Sequence, residues 1–196
     1  MLAVGGYSGT RKSVLARALA PGSGALPGAV LISSDLKRKA GLGSAKRLDP
    51  AAYAPERQEA VYESMFDRAE AILGAGHSVI LDATFLDPNM RTRAEAVAAQ
   101  AYVPFLGVWF DAAADILEGR LKCRTGDASD ADVTVLKTQL SADTGKNSWR
   151  RIDASITPPA IRNTVCDALV LALGRTDGGS IRREAMVGDT TEFVQH

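Results

Sequence analysis

Apolar and polar positions along this chain follow two periods that take turns. Short apolar runs have the length of strands: Leu2 to Gly5, Ala29 to Ile32 running on through Ser33-Ser34-Asp35, Ser78 to Asp82, and Pro104 to Asp111. Between them the apolar positions recur every three or four residues. Val61, Met65, Ala69 and Leu73 fall on one helical face, Pro55 suits a first helical position, and Gly74 and Gly76 supply stop signals. Asp87-Pro88 reads as an N-cap with proline behind it, opening a helix toward Ala101. A further helix is predicted over Ala112 to Lys122, and Ser129-Asp130-Ala131-Asp132 resembles a capping box before Val133 to Leu136. The short Arg150 to Asp153 run suits a fifth strand, placed at an edge by its polarity, and Pro158-Pro159 precedes a last helix ending near Leu173.

Strands alternating with helices predict βαβ units, hence an α/β domain on a mostly parallel sheet spanning residues 1–173. The polar stretch from Lys37 to Pro50 reads as loop and short helix. Residues 174–196, rich in Gly, Asp, Thr and Arg, read as a C-terminal tail.

Composition narrows the partners. The 196 residues suit one domain with a sizeable core. Twenty-three basic residues balance 23 acidic ones, so net charge gives no support for broad nucleic-acid binding. Two cysteines, Cys123 and Cys166, are too few for a disulfide framework and lack paired metal-ligand spacing. No run approaches the roughly 20 apolar residues of a membrane span, and the first residues lack the pattern of a signal peptide. The expectation is a soluble cytoplasmic protein.

The chemistry begins at Gly6-Tyr7-Ser8-Gly9-Thr10-Arg11-Lys12-Ser13, which follows the first strand and opens into a helix. It fits the phosphate-loop pattern G-x-x-x-x-G-K-[ST] everywhere except Arg11, where glycine belongs. Gly6 and Gly9 allow the loop to turn its N–H groups inward, and the helix adds the positive end of its dipole. Gly6, Ser8, Gly9, Thr10, Arg11, Lys12 and Ser13 are therefore the candidate nucleotide site, with Lys12 reaching the β- and γ-phosphates and Ser13 joining a Mg²⁺ shell. If Arg11 must adopt a positive φ, its Cβ costs about 1–2 kcal/mol that glycine avoids. Its guanidinium either obstructs the phosphate path or adds a charged donor to it.

Four other positions extend the site. Asp35, at the end of the second predicted strand, could accept the proton of an acceptor hydroxyl, with Arg38 holding an anionic group of the acceptor; an N-cap aspartate beside a solvated arginine is the plain alternative. Asp82 closes an apolar run as a Walker-B acid does and would orient Mg²⁺, or else merely caps a loop. No glutamate follows it, which favours transfer to a substrate over a motor-type ATPase. Arg120 and Arg124, four apart, share a helix face before Thr125-Gly126-Asp127 and suit a lid over the nucleotide, although a solvated helix face explains them nearly as well. His77 reads as a surface residue, Trp109 as core, and Trp149 as either. No N-K-x-D signature supports a GTPase.

With these residues in place, the chain resembles the small kinases of the P-loop superfamily, in the branch holding zeta toxin-like and polynucleotide kinase-like proteins. The likeness extends to the kinase-like domain that some bacteria carry fused to an aminoglycoside phosphotransferase-like domain. GGYSGTRKSVLARALA, SSDLKRK, HSVILDATF and RLKCRTGDASDAD carry it over roughly residues 1–155. The resemblance implies a three-layer sandwich on a five-stranded sheet, an arginine-bearing lid, ATP as phosphoryl donor and Mg²⁺ as cofactor. It also implies Asp35 as acceptor-side base, Arg38 as substrate contact, and Arg120 and Arg124 as lid arginines. Acceptors vary widely among such relatives, so the acceptor stays open, and nucleic acid enters only as a phosphoryl acceptor. The competing expectation is a nucleotide-binding module with weak or no turnover because of Arg11.

Overall fold

A computed structural model of the chain describes residues 1–40, 55–123 and 133–173. Five strands form one sheet: β1 (Leu2–Gly6), β2 (Val30–Ser33), β3 (Val79–Asp82), β4 (Leu106–Asp111) and β5 (Arg150–Asp153). Their order is β2-β3-β1-β4-β5, and every neighbouring pair is parallel. The sheet is thus wholly parallel where the sequence predicted mostly so. β1 is buried along its whole length, which is why it reads as an unbroken apolar run. β5 buries only Ile152 and exposes its other three residues, as suits an edge strand.

Among the described residues, seven α-helices accompany the sheet: α1 (Lys12–Leu19), α2 (Ser34–Ala40), α3 (Pro55–Gly74), α4 (Pro88–Gln100), α5 (Ala114–Lys122), α6 (Val133–Ser141) and α7 (Pro158–Leu173). On one face, Tyr62, Met65, Phe66 and Ala69 of α3 and Ala94 and Val97 of α4 pack on Ala3, Leu81 and Trp109. On the other, Leu15 and Leu19 of α1 and Ile161, Val165 and Leu169 of α7 pack on Val4, Ile80, Val108 and Phe110. The result is a three-layer sandwich. α5 and α6 stand apart with a small core of their own, Leu117, Leu121 and Leu136, which leans on Tyr7 of the loop after β1. Among the described residues no helix is long and apolar enough to cross a membrane.

Local signals account for most boundaries. Asp87 is the N-cap of α4, its side chain accepting from the Asn89 N–H at 2.8 Å with Pro88 at the first position. The second strand is shorter than its apolar run suggested: it ends at Ser33, and Asp35 lies in the first turn of α2. Pairing with β3 stops at Ser33, opposite Asp82, and an acid such as Asp35 suits the first helical turn that follows. Trp149 is core, 5% exposed, with its ring so close to Gly107 that a Cβ there would stand 2.5 Å from it. His77 is exposed. The tail at 174–196, the capping box at 129–132 and most of the polar stretch up to Pro50 lie outside the described residues.

Candidate active site

All five strands end on the same side because all run parallel. α1, leaving β1, packs on one face, and α4, following β3, packs on the other. Connections that diverge in this way open a crevice between the carboxyl ends of β1 and β3, the place where open α/β sheets bind ligands. The phosphate-loop pattern and Asp82 both fall there, with Val4 of β1 in register with Asp82.

The loop takes the conformation its glycines suggest. Gly6 has φ 133° and Gly9 φ 86°. Both are also spatially required: a Cβ on Gly6 would lie 2.3 Å from the Phe110 carbonyl oxygen, and one on Gly9 2.9 Å from that of Leu117. The Gly6 N–H donates to the Thr84 carbonyl at 3.0 Å, joining the loop to the segment after β3. The Thr10 hydroxyl donates to the Tyr7 carbonyl at 2.8 Å, and Lys12 Nζ reaches the same oxygen at 3.4 Å. The lysine thus lies back along its own loop. Ser8 and Thr10 are buried.

Arg11 adopts φ 63°, ψ 20°, left-handed, and is the N-cap of α1. The position does require a positive φ, so the arginine carries the roughly 1–2 kcal/mol strain that glycine would avoid. The helix starts normally despite this, since the Arg11 carbonyl accepts from the Val14 and Leu15 N–H groups at 3.1 and 3.2 Å. The side chain is exposed.

Asp82 is 2% exposed and has one oxygen, Oδ1, with no hydrogen-bond partner among the described residues. Burial raises its pKa above the ordinary carboxylate value, while Lys12 and hydrogen bonds from the Ser13 and Ser33 hydroxyls act against that rise. Ser13, Lys12 and Asp82 are therefore brought together as the sequence predicted. A buried carboxylate oxygen without a donor, beside a serine hydroxyl and at the mouth of a phosphate loop, fits the hard-cation chemistry of Mg²⁺.

Asp35 and Arg38 meet each other, Arg38 Nη1 donating to Asp35 Oδ1 at 2.6 Å. Both lie within electrostatic reach of the Tyr62 phenol, and Asp35 within reach of Asp82, so α2 lines the same crevice from the β2 side. The buried Tyr62 hydroxyl accepts from the Phe85 N–H at 2.8 Å. Its pKa is raised, chiefly by burial.

Arg120 lies in the last turn of α5, one turn beyond Leu117, whose backbone presses against Gly9. Its pKa is lowered, first by burial and then by the charge of Arg11, with Asp153 acting in the opposite sense. Arg124 and the Thr125-Gly126-Asp127 stretch lie outside the described residues.

Three features went unread in the sequence. Gln139 of α6 accepts the Ser8 N–H through Oε1 at 2.9 Å, clasping the loop from across the chain. Arg91, 3% exposed, spans the β3–α4 loop and the segment before β5. A groove beside the loop is lined by Thr10, Arg11, Val14, Leu15, Phe110, Ile156, Pro158 and Ile161. Only the last had a sequence signal: Ile156-Thr157-Pro158 follows the fifth strand at the sheet's carboxyl end.

Uncharacterized proteins of Mycobacterium tuberculosis and Mycobacterium bovis are 35% identical over 158 residues, a match covering 78% of this chain and 31% of theirs. The chain thus spans about a third of the length of those relatives. A sugar kinase from Janibacter sp. HTCC2649 superposes with TM-score 0.66 at 18% identity, over 90% of this chain and 98% of that one. The APS kinase CysC of Mycobacterium tuberculosis, in complex with AMPPNP and APS, gives 0.60 at 17% identity, over 86% and 95%. The fold, three layers on a five-stranded all-parallel sheet, is shared with both of those kinases. Residues 1–143 match the family described as AAA domain, AAA_33, and the chain belongs to that family.

Proposed function

We propose that this chain is an ATP-dependent phosphotransferase that moves the γ-phosphoryl group to a hydroxyl of a small molecule or nucleic-acid end. The observation that carries the reading is the convergence of Lys12, Ser13 and the buried, under-satisfied Asp82 carboxylate at one crevice, with Asp35 within electrostatic reach. Loop amides and the N-terminus of α1 bind the phosphates, and Lys12 swings from the Tyr7 carbonyl to the β- and γ-oxygens. The apolar groove of Val14, Ile156, Pro158 and Ile161 receives the base. Ser13 and Asp82 would hold Mg²⁺, which neutralises phosphate charge when bound.

The acceptor oxygen forms its bond to the γ-phosphorus as the bond to the β-γ bridging oxygen breaks, and ADP leaves with that electron pair. Asp35, fixed by Arg38, receives the hydroxyl proton. Arg120, with Arg124 as the second lid arginine, stabilises charge on the transferring group. We extend the reading to a soluble cytoplasmic enzyme of the zeta toxin-like and polynucleotide kinase-like branch, including the kinase domains fused to an aminoglycoside phosphotransferase-like domain.

A second reading, a nucleotide-binding module with little turnover, draws support from the left-handed Arg11 in the glycine position. ATP turnover of the native chain, Lys12→Ala and Arg11→Gly separates the two, assayed with aminoglycosides, nucleosides and 5′-hydroxyl nucleic-acid ends. Native turnover lost in Lys12→Ala supports the kinase; turnover that appears only in Arg11→Gly supports the module. Asp35→Asn then tests the base: if it binds ATP and acceptor yet turns over as fast as native, Asp35 is not the proton acceptor.

A further inference from the structure

Arg11 is the one departure from the phosphate-loop pattern, and its surroundings give it a use. The backbone of α5 at Leu117 presses on the loop at Gly9, two residues before Arg11. Arg120 follows Leu117 by one helical turn and so leans over the same part of the loop. Its Nη1 is buried and finds no hydrogen-bond partner among the described residues. Arg11 itself lines the groove between α1 and the start of α7, where the loop meets Phe110 and Ile156.

Two guanidiniums thus converge on the entrance to the phosphate loop. Arg120 feels the charge of Arg11, as its lowered pKa reflects after the larger effect of burial, while Asp153 acts on Arg120 in the opposite sense. The Asp153 carboxylate is already engaged by the Ser155 N–H at 2.7 Å. Like charges within electrostatic reach, one of them partly buried, repel unless an anion joins them, and a guanidinium with an unused buried donor is the half of a charge-assisted bond that lacks its acceptor.

We propose that Arg11 and Arg120 form a clamp on the phosphate chain of the bound nucleotide, so that Arg11 is a phosphate-contacting residue that replaces the lost glycine with a charged donor. The inference rests on the kinase reading, and it makes the left-handed Arg11 a gain in affinity instead of a defect. Arg11 approaches from the groove side and Arg120 from the α5 side.

The test is calorimetric binding of ATP, ADP and adenosine to the native chain, Arg11→Gly, Arg11→Lys, Arg120→Gln and Lys12→Ala, with thermal unfolding of each unliganded variant. Arg11→Gly is expected to keep or raise its unliganded Tm, since glycine avoids the strain at φ 63°, and to lose about tenfold in ATP affinity. Adenosine affinity stays unchanged, Arg11→Lys recovers part of the loss, and the loss shrinks as salt is raised. Adding Arg120→Gln to Arg11→Gly costs less than the two single losses multiplied, because both contact the same anion. ATP binding as tight as native or tighter in Arg11→Gly overturns the clamp. So does an equal loss for adenosine, which would make Arg11 a base-groove residue. If Lys12→Ala also binds ATP as the native chain does, the kinase reading falls with it; if Lys12→Ala alone loses ATP, only the clamp falls.

Discussion

Replacing Arg91 with methionine should cut the stability of this domain by about 3 kcal/mol. The guanidinium is 3% exposed and donates four bonds: Nη1 to the Phe85 and Leu86 carbonyls at 2.6 and 3.0 Å, and Nη2 to those of Thr144 and Lys146 at 2.5 and 3.1 Å. At about 1.5 kcal/mol each, the low end for bonds to a charged group because the buried cation itself is costly, they total about 6 kcal/mol. Lys146 is exposed and Thr144 half-buried, so those two carbonyls regain water when the arginine goes. Phe85 is fully buried, and its carbonyl loses a donor with less access to water in exchange. About half the total therefore survives as a net loss. With a urea slope of about 2 kcal/mol/M, the midpoint falls by about 1.5 M at unchanged slope. Tryptophan fluorescence follows the transition, because Arg91 lies 5.6 Å from the Trp109 ring centroid. Arg91→Lys keeps the charge but not the fork, and should lose about half as much. A midpoint within about 0.3 M of native for Arg91→Met would refute the reasoning, since four bonds to a buried cation would then contribute almost nothing.

Other outcomes follow from the same geometry. Gly107→Ala puts a Cβ 2.5 Å from the Trp149 ring, a contact that must displace the indole from Glu95, its 2.8 Å acceptor; a loss of about 1–3 kcal/mol and a red-shifted tryptophan emission are expected. Asp82→Asn should raise the unliganded Tm at neutral pH while removing Mg²⁺-dependent turnover. The sign follows from the raised pKa of Asp82: the folded state favours the proton-bound form, so the ionised carboxyl costs stability once pH rises through that pKa. The Tm advantage should accordingly shrink as pH falls toward the ordinary carboxylate range. Cys123, exposed, should alkylate readily in the native state, whereas Cys166, buried and with its pKa raised chiefly by burial, should label only on unfolding.

Elements governed by local chemistry were legible in the sequence. The Asp87-Pro88 start of α4 and the polar edge strand Arg150–Asp153 appear where their residues predict. So do Lys12, Ser13 and Asp82, because motif spacing and strand ends are local properties. Asp35 was read one element early, since Ser33-Ser34-Asp35 satisfies both the end of an apolar run and a helix start, and only pairing with β3 decides between them. Arg91, Gln139 and Trp149 were opaque for another reason. Each acts on a partner about forty or more residues away, through a carbonyl, an amide or a glycine that leaves no pattern of its own.

The strand order has a consequence for how the chain is made. β1 leads into the Gly6–Ser13 loop, yet Leu2 pairs only with Ile80 and Leu106. As the polypeptide leaves the ribosome at roughly 5–20 residues per second, that first strand waits on the order of ten seconds with both edges bare. It is an apolar stretch without a neighbour for all of that time, the kind of segment that chaperones bind and that self-associates when they do not. The Gly6–Ser13 loop is made well before its walls are complete, and a nascent chain halted before β4 emerges would hold the loop residues without the strands that shape them.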